Sequence, residues 1–332
     1  MTIQVTKEPI NLREKLNELE TNKGLKGNEI LQAETAQEVR SLIGAGRKNL
    51  IINGDFQVSQ RGDYTTATTA SGSTYYLDRF KTVLGGAFTY THKISQLVDG
   101  KYVNTLLQTM TATGYSATQQ FVEDFAKLKG QTVTLSVWVK SNKAGASVGI
   151  YDGVSQTHSS PHTGGGGWEK LTVSHTCSTS TTLMRTEVWT TTGAVVGSFI
   201  EFTNFQLELG SVATDFEHRS YGEELALCQR YYQKISSNGL VYTTYSTTQG
   251  YMQVPTPVQM RVHPSITWET VDRVALASSS NITTNITFWS RYSNYPSSFV
   301  SFQARSSVAL TSGLTYVMYP TAVKYFSFDA EL

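Results

Sequence analysis

The chain has 332 residues, only 16% of which are charged, and its formal net charge at pH 7 is +1. So small a net charge provides no field that would recruit nucleic acid or an anionic membrane, and neither partner is expected. No run of about 18 apolar residues could span a bilayer, and the N-terminal residues lack the apolar segment of a signal peptide, so we expect folding in a cytoplasm. Two cysteines, Cys177 and Cys228, are too few for a disulfide scaffold, and both are predicted to be buried apolar fillers.

Residues 1–48 form a charged segment whose pattern is helical. Leu12, Leu16 and Leu19 make an apolar stripe at helical spacing, but a stripe of only about two heptads is not stable alone in water. A parallel trimeric coiled coil would bury it, and a helix packed on the body of its own subunit is the alternative. A second short helix is predicted over residues 34–43, where two glycines follow.

Residues 49–219 alternate between apolar and polar side chains, as β-strands do. The clearest strand covers residues 132–140, with valine and leucine on one face and polar residues on the other. Similar short runs recur with polar turns between them, which predicts an antiparallel β-sandwich.

A helix is predicted next, over residues 221–234. Ser220 followed by Glu223 has the pattern of a capping box, and Glu223 and Glu224 lie in the first turn, where the helix dipole favours acidic side chains. Residues 235–332 return to strand-like alternation and are predicted to form a second β-sandwich, a head. The expected fold class is all-β with a short N-terminal α-helical stem, in three domains: 1–48, 49–219, and 220–332, where the linker helix precedes the head.

Two groups of side chains on predicted strands could contact a sugar. Trp138 and Lys140 share the polar face of residues 132–140, and Arg185, Glu187 and Trp189 share one face of the strand that ends at Trp189. Sugars stack their apolar faces on aromatic rings and hydrogen-bond to nearby polar groups. The five residues are therefore candidates for a ligand-binding platform on a concave sheet, and the alternative is that another sheet, helix or subunit covers both tryptophans.

A third group lies in a Ser-, Asn- and Pro-rich segment that resembles a loop. It consists of Trp289, Arg291, Tyr292, Asn294 and Tyr295. Aromatic residues in exposed loops commonly serve in recognition. We therefore predict a receptor contact here, with a loop at a trimer interface as the alternative.

No pattern in the sequence indicates catalysis. The sequence contains no G-x-S-x-G elbow, no H-E-x-x-H and no Cys/His set at metal-binding spacing. We expect a protein that is not an enzyme and needs no cofactor. A pair of glycosidase carboxylates contributed by distant loops is the alternative that sequence leaves open.

Two long motifs carry a resemblance to a known family. The first motif, NLIINGDFQVSQR, covers residues 49–61, and the second motif, FQLELGSVATDFEHRSYGEELALCQRYYQ, covers residues 205–233. In this order they resemble phage tail-fibre and minor tail proteins with a jelly-roll domain like a carbohydrate-binding module. The segment GLKGNEILQAETAQEVRSLIGAG, residues 24–46, resembles the collar between stem and head in trimeric phage fibres.

The resemblance implies a function and a set of partners. It implies a virion tail fibre, assembled in the host cytoplasm, that recognises the host surface by multivalent glycan binding. The implied partners are two further copies in a homotrimer, tail or adaptor proteins at the N-terminus, and a host polysaccharide or receptor. A polysaccharide depolymerase tail spike and a non-binding structural connector are the alternatives.

The resemblance also bears on metal binding. Jelly-roll carbohydrate modules often hold Ca²⁺ between their first and last strands, and Asp55 and Glu208 are the oxygen ligands nearest that pattern. Many such domains lack the ion, so no metal is expected here.

Overall fold

The structure is a computed structural model that describes residues 48–70, 72–190, 193–262, 264–275, 281–292, 299–318 and 320–331. The predicted stem, with Leu12, Leu16 and Leu19, and the helix predicted over residues 34–43 lie outside the described residues. Ile51–Leu332 forms one compact unit. Most of its regular structure is β-strand, as predicted.

The first part of this unit is a two-layered sandwich. Its strands in chain order are β1 (Thr68–Thr69), β2 (Thr74–Leu77), β3 (Phe80–Leu84), β4 (Phe88–Val98), β5 (Lys101–Met110), β6 (Ser116–Phe121), β7 (Thr132–Ser141), β8 (Ser147–Tyr151), β9 (Gln156–His158), β10 (Trp168–Thr176), β11 (Arg185–Trp189) and β12 (Phe199–Leu209). Sheet I has six strands in the order β1-β4-β5-β12-β7-β10, and sheet II has six in the order β2-β3-β6-β11-β8-β9. A 3₁₀ turn at Phe125–Leu128 lies between β6 and β7.

The core of the sandwich lies between the two sheets. Alternate residues of β7 on sheet I are fully buried, and so are Val148 and Ile150 of β8 on sheet II. The buried residues of β7 are Val133, Leu135, Val137 and Val139. Thr134 and Ser136 on the other face are buried as well, so burial alternates clearly only from Val137 to Lys140. The predicted strand and sandwich are confirmed by the antiparallel pairing of β7 with β10 and β12 and by the two sheets.

The predicted helix is shorter than expected. Helix α1 covers Tyr221–Gln229, and strand β13 begins at Tyr232, so the helix prediction was wrong beyond residue 229. The β-pairing of residues 232–236 with a late strand of the chain outweighs local helix propensity here. The capping box is also absent: Ser220 is the N-cap, but its side chain makes no capping hydrogen bond.

The strands after α1 form a closed barrel and a small sheet, so the predicted second sandwich was wrong. They are β13 (Tyr232–Ser236), β14 (Val241–Thr244), β15 (Gln249–Pro255), β16 (Ser265–Trp268), β17 (Val271–Ala275), β18 (Asn281–Tyr292), β19 (Phe299–Ser306), β20 (Thr315–Met318) and β21 (Tyr325–Asp329). The barrel order is β14-β15-β19-β18-β17-β20, with β14 also paired to β20, and the three-stranded sheet is β13-β21-β16. Closure removes the unpaired edges that a short sandwich would leave. Phe326 and Phe328 of the small sheet are buried in the barrel core.

The two sequence motifs meet at the start of α1. The backbone N–H of Asn53 donates to Glu224, and Arg219 Nη1 donates to the carbonyl oxygen of Ile51 at 2.9 Å and to Glu224 Oε1 at 3.3 Å. Asn53 is in the left-handed conformation with φ 61°, and its side-chain amide binds both backbone groups of Val58. The motif residues therefore join the beginning of the sandwich to the segment that leaves it.

Gly54 in the first motif allows a close backbone approach. A Cβ atom there would lie 2.3 Å from the carbonyl oxygen of Phe205 on β12. Because backbone rather than a side chain would have to move, we expect Gly54→Ala to lower the free energy of unfolding by about 2–3 kcal/mol in chemical denaturation. Gly222 in α1 has no atom within 4 Å of such a Cβ, so Gly222→Ala should stabilise slightly, by about 0.5 kcal/mol. Equal effects of the two substitutions would contradict this explanation.

Both cysteines are free and buried, as predicted. Burial raises the pKa of the Cys177 thiol to about 11 and raises that of Cys228 as well, which disfavours the reactive thiolate. Within the described residues, no helix has the length and apolar character needed to cross a membrane.

Candidate functional site

The central strand β11 of sheet II directs Arg185, Glu187 and Trp189 away from the sandwich core. The intervening residues Thr186 and Val188 are buried toward sheet I. The three predicted residues therefore share one outward face. Because β11 lies between β6 and β8 in the sheet, this face continues onto both neighbours.

Glu187 organises the polar part of this face. Its side chain is fully buried, and its carboxylate accepts hydrogen bonds from Gln119 Nε2 on β6 at 3.0 Å and from Gln156 Nε2 on β9. Arg185 Nε lies 3.0 Å from Glu187 Oε2 as an ion pair. A buried carboxylate is tolerated when donors surround it in this way. Glu187 therefore holds two amides and a guanidinium in fixed positions.

Arg185 has a second contact that fixes its orientation. Its Cζ atom lies 4.8 Å from the ring centroid of Tyr151 on β8, a cation–π arrangement. The side chain remains 21% exposed. Within the described residues, no hydrogen bond uses the terminal nitrogens of Arg185, so these donors remain available to a ligand.

Trp189 and Tyr115 form the aromatic end of the face. Their rings are stacked with centroids 5.3 Å apart and planes inclined by 25°, and both residues are partly exposed. Tyr115 packs against Gly85, where a Cβ would lie 2.0 Å from Tyr115 Cε1, so glycine is needed at that position. The buried indole Nε1–H of Trp189 has no acceptor among the described residues. A buried donor of this kind is satisfied by an ordered water molecule or by a ligand.

The glycine beside Glu187 is covered by a histidine side chain. Gly149 on β8 is opposite Glu187 on one side and His158 of β9 on the other. A Cβ at Gly149 would lie 2.9 Å from His158 Nδ1, so the imidazole occupies the space above this glycine. We call the whole outward surface the sheet II platform; its residues are Tyr115, Gln119, Tyr151, Gln156, Arg185, Glu187 and Trp189.

Trp138 and Lys140 do not belong to the sheet II platform. They lie on β7 of sheet I and point away from the core, toward the opposite outer face of the sandwich. A single platform containing all five predicted residues is therefore not formed. Strand order determines this separation, and alternation along one strand does not reveal it.

The predicted loop site is a strand over much of its length. Trp289, Arg291 and Tyr292 lie on β18, whose pairing with β19 is irregular between Phe288 and Ser290. Asn294 and Tyr295 fall outside the described residues. Strand pairing outweighs the Ser- and Asn-rich composition that suggested a loop.

The two oxygen ligands considered for Ca²⁺ are each engaged by protein donors. Asp55 Oδ2 accepts a hydrogen bond from Gln57 Nε2 at 2.8 Å, and burial raises the pKa of the Asp55 carboxyl. Glu208 Oε1 accepts the backbone N–H of Thr214 at 2.8 Å. In the described part of the chain, no cluster of three or more His, Cys, Asp or Glu residues is arranged to hold a metal.

A Thr–His–Asp arrangement lies at the far end of the β8–β9 hairpin. Thr157 Oγ1 is 2.8 Å from His175 Nδ1, and His175 Nε2 is 3.3 Å from Asp152 Oδ2. Asp152 and His175 are buried, and the aspartate accepts hydrogen bonds from backbone amides. These contacts therefore stabilise the turn between β8 and β9.

Asp152 should make a pH-dependent contribution to stability. It accepts the amides of Val154 at 2.8 Å, Ser155 at 2.7 Å and Ser178 at 2.8 Å. Burial alone would raise its pKa, but these hydrogen bonds and His175 hold the pKa well below its ordinary value of 3.8. We expect Asp152→Asn, which loses an acceptor, to cost about 2 kcal/mol in urea unfolding near neutral pH.

The sign of the pH effect follows from the lowered pKa. Ionised Asp152 stabilises the fold fully at any pH above the pKa that the carboxyl has in the unfolded chain, and this stabilisation is lost as the pH falls toward the lower pKa of the folded state. The difference in the free energy of unfolding between wild type and Asp152→Asn should therefore be constant above about pH 5 and shrink below it. A difference that stayed unchanged into acid would contradict this assignment.

Sequence reasoning missed the platform residues outside β11. Tyr115, Gln119, Tyr151 and Gln156 come from three other segments, brought to β11 by strand pairing. Their aromatic and amide side chains were visible in the sequence. Only the register shows that they share one face.

Comparisons with known proteins gave no family assignment. No protein-family model matches the chain, and no curated protein sequence matches it. Among solved structures, the enzymatically active domain of tailspike protein 4 from bacteriophage CBA120 is similar at 13% identity and a TM-score of 0.35, over 49% of this chain and 21% of that chain.

Two solved carbohydrate-binding modules also match. TmCBM61 in complex with β-1,4-galactotriose matches at 14% identity and a TM-score of 0.28, over 49% of this chain and 100% of that chain. The C-terminal family 22 carbohydrate-binding module of Clostridium thermocellum Xyn10B matches at 12% identity and a TM-score of 0.30, over 48% of this chain and 94% of that chain. Identities and TM-scores this low assign no function to this chain.

Proposed function

We propose that the sandwich binds glycan through the sheet II platform. The observation that carries the proposal is the stacked pair Trp189–Tyr115 beside the fixed polar cluster of Glu187. An aromatic surface accepts the apolar face of a sugar ring, and oriented amides and a guanidinium bind its hydroxyl groups. Because Glu187 holds its neighbours before any ligand arrives, little side-chain freedom would be lost on binding.

We further propose that the chain is a phage tail fibre that recognises a host surface. The order of the two motifs, which resemble tail-fibre proteins, supports it. We propose a homotrimer in the virion tail, assembled in the host cytoplasm, with its N-terminal segment joined to tail or adaptor proteins. Three copies of a weak site would raise the overall affinity through effective concentration.

Binding without cleavage is part of this proposal. On the paired strands of sheet II, Glu187 is the one carboxylate among the described residues. Glycoside hydrolysis by the common mechanisms needs two carboxylates on either side of the scissile bond. Glu187 is also fully buried among its hydrogen-bond donors, which suits a positioning role.

An adsorption experiment tests the proposed function. Purified full-length protein is added in excess to candidate host cells, which are then challenged with phage, and the remaining free phage are counted. We expect the protein to bind the cells and to reduce adsorption. Failure to bind any host cell, together with a monomeric mass in solution, would refute the proposal, and release of reducing sugar from the cell envelope would establish the depolymerase alternative.

A further inference from the structure

The opposite outer face of the sandwich contains a depression that the proposed function does not use. It lies on sheet I and is lined by β7, β10, β12, the turn between β4 and β5, and the segment after β12. Trp138 forms one wall and Phe216 contributes a second aromatic side chain. We call it the sheet I depression.

Two mostly buried polar side chains line the depression. Ser136 is 3% exposed and Asn204 is 7% exposed. Among the described residues, neither Ser136 Oγ nor Asn204 Nδ2 has a hydrogen-bond partner. Both of these atoms are open to solvent in the depression, while Asn204 Oδ1 accepts from Thr203 Oγ1 at 3.4 Å, so each of the two can exchange water for a polar atom of a ligand.

Backbone geometry places Asn204 in the depression. The pairing of β12 with β7 is interrupted between Thr203 and Gln206, and Asn204 adopts φ 55° there. A bulge of this kind redirects a side chain that regular pairing would place elsewhere. An asparagine tolerates the left-handed conformation better than most residues, so the site can carry an amide at this point.

The remaining lining residues have balanced charge. Lys101 and Lys170 provide positive charge, and Asp99 and Asp215 provide negative charge. Lys170 lies opposite Trp138 in the β7–β10 pairing, and its Nζ donates to the carbonyl oxygen of Thr214 at 3.1 Å. A site with an aromatic wall and both hydrogen-bond donors and acceptors suits a neutral ligand rich in hydroxyl groups.

We infer that the sheet I depression is a second binding site for a neutral sugar residue, separate from the sheet II platform. The pyranose ring stacks on Trp138, and its hydroxyl groups bind Ser136 and Asn204. Since the two sites are on opposite outer faces of one sandwich, each copy of the chain contacts glycan from both sides. The site does not depend on the function proposed for sheet II.

The test uses the full-length Trp189→Ala protein, in which the sheet II platform is impaired. The methyl glycosides of glucose, galactose, mannose and N-acetylglucosamine are titrated at millimolar concentrations, with ligand-observed NMR as the readout. We expect binding of at least one glycoside to persist in this background and to be lost when Trp138→Ala is added. Ser136→Ala and Asn204→Gly should each weaken binding about 5-fold, the effect of one hydrogen bond; glycine preserves the positive φ at residue 204.

Trp168→Ala is the matched control. Trp168 lies on the same outer face, opposite Lys140 in the β7–β10 pairing, but does not line the depression. It should leave binding unchanged, and circular dichroism should show native folding for every variant.

The inference is overturned if no glycoside binds in the Trp189→Ala background, if Trp168→Ala matches Trp138→Ala, or if methyl glucuronide binds more tightly than every neutral glycoside. If Trp138→Ala abolishes glycoside binding but the wild-type protein does not bind host cells, the sheet I depression is supported as a sugar site. Only the sheet II proposal then fails.

Discussion

Replacing Arg79 with alanine should lower the free energy of unfolding by about 3 kcal/mol, because removing one partner of a buried ion pair leaves the other charge buried without compensation. Arg79 follows β2 in the sandwich and is 1% exposed, and its guanidinium pairs with Glu331, which follows β21 and is 3% exposed. Arg79 Nη2 also donates to the carbonyl oxygen of Phe121 at 2.7 Å, and Cζ lies 3.5 Å from the ring centroid of Tyr231. Removing the side chain leaves Glu331 with Arg61 as its one remaining cationic partner among the described residues.

Urea unfolding followed by fluorescence measures this effect. Arg79 links the sandwich to the C-terminal strands, so we also expect the transition of Arg79→Ala to become less cooperative. Arg79→Lys should recover only part of the stability, because lysine lacks the planar fork that reaches several acceptors. The control is Lys127→Ala, whose pair with Asp124 is 77% and 70% exposed and should contribute less than about 1 kcal/mol. If Arg79→Ala were as mild as Lys127→Ala, the buried pair would not hold the two parts together.

Replacing Trp189 with alanine should weaken glycan binding by a single chain about 30-fold, the effect of removing an aromatic anchor from a binding site. The substitution removes half of the stacked pair with Tyr115 and leaves the Glu187 cluster in place. Trp189→Phe preserves an aromatic face and should recover much of the affinity. In a trimer the loss in cell binding should exceed the loss for a single site, because every copy is weakened together.

Binding is measured with labelled protein on host cells and with the surface polysaccharide purified from those cells. Tyr221→Ala is the control, since Tyr221 is a large aromatic residue that is 56% exposed and lies outside the platform at the start of α1. Both variants should keep the thermal unfolding temperature of wild type to within a few degrees. Native folding of Trp189→Ala together with undiminished binding would exclude the sheet II platform as the glycan site.

Local patterns predicted individual elements well. The alternation in β7 placed Val133, Leu135, Val137 and Val139 on the buried face, because the side-chain period of a strand does not depend on its partners. The same reasoning correctly grouped Arg185, Glu187 and Trp189 on one face. The burial of both cysteines also followed from composition.

Features that depend on pairing were predicted poorly. Helix α1 ends at Gln229 because residues 232–236 pair with β21, about ninety residues later in the chain. The second sandwich was wrong because alternation is the same in a sandwich strand and in a barrel strand, and only the pairing of β14 with β20 closes the ring. The motif residues Asn53 and Arg219 carried a family resemblance, but their role in joining the two ends of the sandwich was visible only in three dimensions.

The sequence by itself determined which residues of β7 face inward and which side chains of β11 share one face. Tertiary structure decided which of those side chains lie together. Trp138 and Trp189 have the same character in the sequence, yet they lie on opposite faces because β7 and β11 belong to different sheets. Alternation is a property of a few neighbouring residues, whereas a binding surface is assembled from strands distant in sequence, whose order and register are set by the packing of the whole chain.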